Sequence, residues 1–366
     1  MERRATRAPL GRHRAAVRRT ARTGSLSGSM GIEKTIKRYR QRAGIMLARR
    51  RLHGRTEPPG AAPFVCGVTR SGTTLVRLML DSHPDLAIPG ETHWVPKLIK
   101  AFERSKQTAD DAADVIIDHK RWGDFHLDAD EVRARIQGLD PVTAADAIRA
   151  FYLTYAEREG KTRYGDKTPG YVQEMRRIQR VLPEARFVHI IRDGRDVSLS
   201  HLRMNWGPET YAQSARLWRN RIRKARKMAP SIDHYMEIHF EELVADTEGV
   251  LHRVCDFVEL DFDPVMLAYH ERAEERLAEK ARELPRKNRP PQPAEARLES
   301  HRLAKEPPRS DRVGMWRERM TPEEVAEYEA VAGDTLVELG YELASEAGEA
   351  RAAEKGAGPK PAAAVS

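Results

Sequence analysis

Phe64-Val-Cys-Gly-Val-Thr-Arg-Ser-Gly-Thr-Thr74 is an apolar run that ends in a glycine-bounded loop, and Leu75, Leu78 and Met79 follow it at helical spacing. A short buried strand, a tight loop and an apolar-faced helix, in that order, open a parallel α/β unit. Gly67 and Gly72 have the spacing of the phosphate loop G-x-x-x-x-G-K-[ST]. Backbone N–H groups of such a loop converge on an anion, and the helix N-terminus adds roughly half a positive charge. The lysine of that motif is missing. Thr73 stands in its place, and the cation is Arg70, three residues earlier and inside the loop. A triphosphate with magnesium calls for the lysine; a donor with one phosphate-linked leaving group does not. A plain glycine turn beside a strand is the simpler reading. The ordered set Arg70-Ser-Gly-Thr-Thr74 between strand and helix argues against it.

A second unit of the same kind lies downstream. Phe187–Ile191 is another strand-sized apolar run, followed by Arg192-Asp-Gly-Arg-Asp-Val-Ser-Leu-Ser200. An arginine at a strand end and a serine eight residues on, in the next helix, can face one phosphate together, the arginine with its planar fork of donors. Residues 208–228 read as a long amphipathic helix, Tyr235–Phe240 alternates as a strand, and Val250, Leu251, Val254, Phe257 and Val258 mark a further helix. The last helix is well punctuated: Thr321 as N-cap, Pro322 at the first position, Glu324 closing a capping box and Gly340 as the stop. Residues 97–160 read as mostly helical, with Trp122, Phe125, Phe151 and Tyr155 as packing points. Residues 271–310 are charged and hold six prolines, which predicts a mobile segment. The expected architecture is a P-loop-like three-layer α/β/α fold with a central parallel sheet over residues 61–345. Segments 97–160 and 265–312 would supply the acceptor side and a lid.

The chain of 366 residues has room for one large α/β domain with a real core. Its net charge of +9 is unevenly placed. Residues 1–55 hold 17 Arg and Lys against Glu2 and Glu33, a local +15, so the rest of the chain carries −6. The basicity belongs to an arm rather than to the folded body, which argues against a nucleic-acid partner. Residues 1–60 read as a basic, disordered arm and surface helix. Residues 1–29 stay open between a transit-like leader, a disordered arm and a dispensable extension with the true start at Met30, and residues 31–55 could form a basic surface helix that touches anionic membrane. Residues 346–366 read as a disordered tail. Cys66 and Cys255 give neither a disulfide framework nor a metal spacing, and fit two buried thiols in a reducing cytoplasm. No metal-ligand cluster appears and none is expected.

The loop at 70–74, together with Met79-Leu-Asp-Ser-His-Pro84 and Gly90-Glu-Thr92, resembles the sulfotransferase superfamily. It is especially similar to tyrosylprotein sulfotransferases and related bacterial enzymes. The resemblance implies that Arg70, Ser71, Gly72, Thr73 and Thr74 hold the 5′ end of 3′-phosphoadenosine 5′-phosphosulfate. It implies also that Arg192 and Ser200 bind the 3′-phosphate. Ser310-Asp-Arg-Val-Gly-Met-Trp316 resembles, more loosely, the segment that closes over that phosphate, with Arg312 as its cation. Glu91 aligns with the family's catalytic glutamate, with His93 as a second candidate base. Lys167, in Tyr164-Gly-Asp-Lys-Thr-Pro169, matches a second catalytic cation beside Arg70. Phe240 departs from the family, which often has Tyr there, so a donor-site hydroxyl is missing.

The expected activity is therefore in-line transfer of a sulfuryl group to a hydroxyl on a carbohydrate, lipid, small metabolite or peptide tyrosine. Two other readings stand beside it. A P-loop small-molecule kinase shares the strand-loop-helix opening, and Asp193 could imitate a magnesium-binding acid. A non-catalytic binding protein on a nucleotide fold would need a broken site, whereas Arg70, Glu91, Lys167, Arg192 and Ser200 are all present.

Overall fold

The computed structural model describes residues 51–204, 207–286 and 289–344. Of the arm read over residues 1–60, residues 1–50 lie outside the described residues, and so does the tail at 346–366. Residues 51–60 correct the expectation of disorder: Leu52 is buried, the N–H groups of Arg55 and Thr56 donate to Asp146, and Arg149 donates to the Thr56 carbonyl. The first run quoted above forms β1 (Ala62–Gly67), and its helix is α1 (Thr73–Asp81). The chain continues through β2 (Leu86–Ala87), α2 (Val95–Arg104), α3 (Ala109–Ile117), α4 (Ala129–Gln137) and α5 (Ala144–Arg158). Then come β3 (Arg163–Tyr164), β4 (Asp166–Lys167), α6 (Met175–Val181), β5 (Ala185–Ile191), α7 (Gly194–His201), α8 (Tyr211–Met228) and β6 (Tyr235–His239). The remainder is helical: α9 (Phe240–Ala245), α10 (Thr247–Phe257), α11 (Ala273–Ala278), α12 (Ala294–Glu299), α13 (Trp316–Arg319) and α14 (Pro322–Glu338).

Four strands form an all-parallel sheet in the order β4-β1-β5-β6, and β2 pairs with β3 in a second, two-stranded one. Strand alternation decides the layers. Phe64, Cys66 and Phe187 point into a core built with α2 to α6. Val65, Val188, Ile190 and Ile238 point the other way, onto α1, α9 and α10. Helices on both faces of a parallel sheet give the expected three-layer α/β/α fold. A third cluster, with Val68, Ile191, Trp218, Trp316 and Tyr328, packs α7, α8, α13 and α14 together. The ring of Phe64 lies 5.7 Å from Phe187 and 6.3 Å edge-on from Tyr152, tying the sheet to α5.

The register places the site. Gly67 of β1 pairs with Ile190 of β5, so the two strands end together. The loops that follow, 68–72 and 192–193, therefore leave the carboxyl edge of the sheet side by side, where open α/β sheets bind ligands. One further local expectation needs correction: Phe240 does not end the strand but opens α9. Residues 271–310, read from their prolines and charges as mobile, carry buried anchors. Among the described residues there, Arg276 bonds Asp81 at 2.6 Å and Arg297 bonds Asp124 at 2.5 Å, both buried. These two arginines are spent in buried pairs with residues far away in sequence.

Candidate active site

The loop after β1 is held in an unusual backbone shape. Arg70 has φ 77° and Gly72 φ 100°. The left-handed region is disfavoured for any side chain larger than glycine, by roughly 1–2 kcal/mol, so Arg70 is held there by its surroundings. Gly72 cannot be replaced freely, since an added Cβ would lie 2.6 Å from the Phe240 ring. Ser71 is fully buried and its Oγ has no hydrogen-bond partner among the described residues. Thr73 is buried and Thr74 partly so at the start of α1. A helix N-terminus, a buried hydroxyl without a hydrogen-bond partner and a cation in one loop are the donor set that an anion needs.

Arg192 leaves β5 beside this loop. Its guanidinium stacks 4.3 Å over the Phe240 ring, and its Nη2 donates to the carbonyl of Arg312 at 2.6 Å. The departure at 240 thus has a physical content: the ring that lacks a hydroxyl supports the arginine by its π face. Two more buried donors, Arg192 Nε and Arg312 Nε, have no hydrogen-bond partner among the described residues. Ser200 lies in the last turn of α7, half-buried. Burial lowers the affinity of Arg70 for its proton, Arg192 lowers it further, and Glu91 opposes both. Neighbouring cations that disfavour one another are stabilised by an anion between them. Arg195 and Asp196 are structural, as their positions suggest. Arg195 forks onto Asp193 and pairs with Glu329, and Asp196 accepts the backbone N–H groups of Gly314 and Trp316 at 2.8 Å each.

Glu91 and Lys167 meet through their neighbours. Thr92 donates to Asp166 at 2.9 Å, and the Thr92 N–H donates to the Thr168 hydroxyl at 3.1 Å. These bonds clamp the 90–92 loop to β4, and Lys167 Nζ then donates to Glu91 Oε1 at 2.9 Å. His93 Nε2 lies 2.9 Å and Arg121 Nη2 3.3 Å from Glu91 Oε2. Burial pushes the Glu91 carboxyl up, but Lys167, Arg121 and His93 outweigh it and hold it well below the usual carboxylate range. By contrast, burial raises Asp166 to about 6 against the hydrogen bonds from Thr92 and Tyr152. His93 has φ 55°, a second side chain held in the left-handed region, and is 40% exposed. Strain of that kind gathers at functional sites. A cavity of about 570 Å³ opens beside it, lined among others by His93, Lys97, Lys100, Tyr171 and Glu174.

Residues 63–264 match the sulfotransferase family. The chain belongs to that family. It is 24% identical over 217 residues to a protein-tyrosine sulfotransferase of Drosophila melanogaster, a match covering 57% of this chain and 40% of the fly protein. A putative protein-tyrosine sulfotransferase of Caenorhabditis briggsae is 28% identical over 218 residues, covering 57% and 69%. For the fly and zebrafish relatives the chain spans 40% and 56% of their length. The sulfotransferase domain of the Synechococcus PCC 7002 olefin synthase shares its fold, with a TM-score of 0.52 at 22% identity over 79% of this chain and 98% of that one. The domain from the curacin biosynthetic pathway is alike, with a TM-score of 0.51 at 19% identity over 78% and 100%.

The structure thus brings Arg70 to Thr74, Arg192 and the Arg312 backbone to one edge, and joins Glu91 to Lys167. Sequence reasoning missed Arg121, Lys280 and His301. Arg121 sits in a run of charges and aromatics with no spacing that singles it out. Lys280 Nζ lies 3.1 Å from His301 Nε2, and His301 Nδ1 lies 3.3 Å from Thr74 Oγ1. No linear pattern links 74 to 280 and 301. Among the described residues there is no group of His, Cys, Asp and Glu that could hold a metal ion, and no helix long and apolar enough to cross a membrane.

Proposed function

We propose that this sulfotransferase-family chain is an O-sulfotransferase that uses 3′-phosphoadenosine 5′-phosphosulfate. The observation that carries the reading is the pair of adjacent anion cradles at the ends of β1 and β5, with buried donors in each that make no hydrogen bond among the described residues: Ser71 Oγ in the first, Arg192 Nε and Arg312 Nε in the second. Their chemistry fits a nucleotide with an anionic group at both ends, and the loop lacks the lysine that a magnesium triphosphate wants. Residues 70–74 hold the 5′ end; Arg192, Ser200 and Arg312 hold the 3′-phosphate.

The acceptor hydroxyl enters from the cavity beside His93. Its oxygen bonds to sulfur as the bond from sulfur to the bridging phosphate oxygen breaks, and its proton passes to Glu91. A carboxyl held ionised is ready to accept a proton, yet a low value makes it a weak base. Lys167 resolves this: as it turns to the bridging oxygen, where charge develops, Glu91 loses a cation and becomes more basic. Arg70 stabilises the same leaving oxygen from the loop. The acceptor is a hydroxyl on a carbohydrate, lipid, small metabolite or peptide tyrosine. We place the activity in the cytoplasm, where two free buried thiols are at home, and assign membrane contact, if any is made, to the basic arm.

The test is transfer of radiosulfur from labelled donor into a metabolite and peptide extract, with mass analysis of the products. A product heavier by one sulfuryl group, formed without added metal, is expected. Phosphorylated products that appear only with ATP and magnesium would move the chain to the kinase reading.

A further inference from the structure

Lys280, Ser300 and His301 approach the phosphate loop from a part of the chain about 200 residues away in sequence. Glu279 accepts from Arg77 Nη2 at 2.8 Å and from the Tyr155 hydroxyl at 2.7 Å, both buried. Those two bonds fix the backbone next to Lys280, which is 2% exposed. The Lys280 amine faces His301 Nε2 at 3.1 Å, and the other ring nitrogen faces Thr74 Oγ1 at 3.3 Å. Ser300, one residue before, accepts from Arg70 Nη1 through its carbonyl at 2.5 Å. Two successive residues of this segment therefore touch two side chains of the loop.

We propose that Lys280 and His301 are positioning residues that fix the Thr74 hydroxyl as a hydrogen-bond donor to the 5′-phosphate end of the bound nucleotide. The inference rests on the reading above that residues 70–74 hold that end. The chain of donors has one direction. With a phosphate dianion bound in the loop Lys280 is an ammonium, which can only donate, so His301 Nε2 accepts from it. A neutral imidazole then carries its hydrogen on Nδ1 and donates to Thr74 Oγ1. With that oxygen's acceptor role filled, the threonine O–H is left to donate into the loop. Burial, then the charges of Lys280 and Lys167, hold the His301 ring well below its ordinary value, which keeps it neutral. Burial, then Lys167, also pulls Lys280 down, with Glu91 opposing; a phosphate dianion in the loop favours its charged form by Coulomb attraction.

The test titrates the full chain with adenosine 3′,5′-diphosphate, adenosine 5′-monophosphate and adenosine 3′-monophosphate by calorimetry. Lys280→Met and His301→Leu are expected to weaken both 5′-phosphate probes about ten-fold, the size of a charge-assisted hydrogen bond. The 3′-monophosphate should bind unchanged, which also shows that the variants are folded. His301→Asn, whose amide stands near the position of Nδ1, should recover most of the loss. In a Thr74→Val background His301→Leu should have no further effect. Equal losses on all three probes, or variants that bind the 5′-phosphates as wild type does, overturn the proposal while leaving the donor reading intact. A wild-type chain that binds none of the three overturns the donor reading and this inference with it.

Discussion

Two regions supply the site, and they were written into the chain in different ways. The cradle made by residues 62–74 and 185–200 is local: strand, loop and helix lie in one short run, and the parallel register of β1 and β5 brings the two loops together. The segment 271–316 is the opposite. It reaches the site only because Arg276, Glu279 and Arg297 are buried in pairs with Asp81, Arg77 and Asp124. The cradle keeps buried donors without a hydrogen-bond partner among the described residues, Ser71 Oγ and Arg192 Nε, and the late segment's buried charges are used to hold it in place. Substitutions in the first region should therefore act on chemistry and affinity, and substitutions in the second on stability as well.

The largest expected effect lies between the two regions, in the 90–92 loop clamped to β4. Glu91→Gln should cut sulfuryl transfer by ~10²–10⁴-fold while the affinity for adenosine 3′,5′-diphosphate stays near wild type, as labelled transfer and calorimetry would show. The same variant has a pH signature. The Glu91 carboxyl lies below its ordinary value in the folded chain, so its ion pairs stabilise fully above that ordinary value and are lost as pH falls through the folded one. The gap in Tm between wild type and Glu91→Gln should hold steady down to about pH 5 and narrow on further acidification. Next, Arg70→Ala should cost about 10²–10³ in turnover, as for loss of one well-aimed donor to developing charge.

The second half is tested by Arg297→Met. It strips Asp124 of a buried partner, leaving Arg282 at 3.1 Å and Arg121 at 3.5 Å. Breaking a buried pair costs about 3 kcal/mol or more, so Tm should fall by several degrees in thermal melts. An unchanged Tm would mean that the late segment is not anchored as described. Smaller still, Phe240→Leu removes the ring under Arg192 and should weaken binding of adenosine 3′-monophosphate only a few-fold, the scale of a cation–π contact of about 1 kcal/mol.

The same contrast explains what the sequence could tell. β1, β5, the capped helix α14 and the loop at 67–74 were legible because their signals are periodicity, capping and glycine spacing within a few residues. Glu91 and Lys167 were legible through resemblance, though not the clamp of Thr92 on Asp166 and Thr168 that joins them. Arg121, Lys280 and His301 were not legible. A buried lysine and a solvated one look alike in a charged run, and the difference is made across the chain: Glu279, next to Lys280, bonds Tyr155 and Arg77 at 124 and 202 residues' remove. The anchors of the proline-rich segment, the buried pairs of Arg276 with Asp81 and of Arg297 with Asp124, were hidden for the same reason.

The central claim is that one cleft grips a nucleotide at both ends without metal. Calorimetric titration of the chain with adenosine 3′,5′-diphosphate in the presence of a chelator, beside Arg192→Ala, tests it most directly. Tight binding by wild type, weakened about ten-fold or more in the variant, is the predicted result. No binding of the diphosphate, with ATP bound only when magnesium is added, would contradict it.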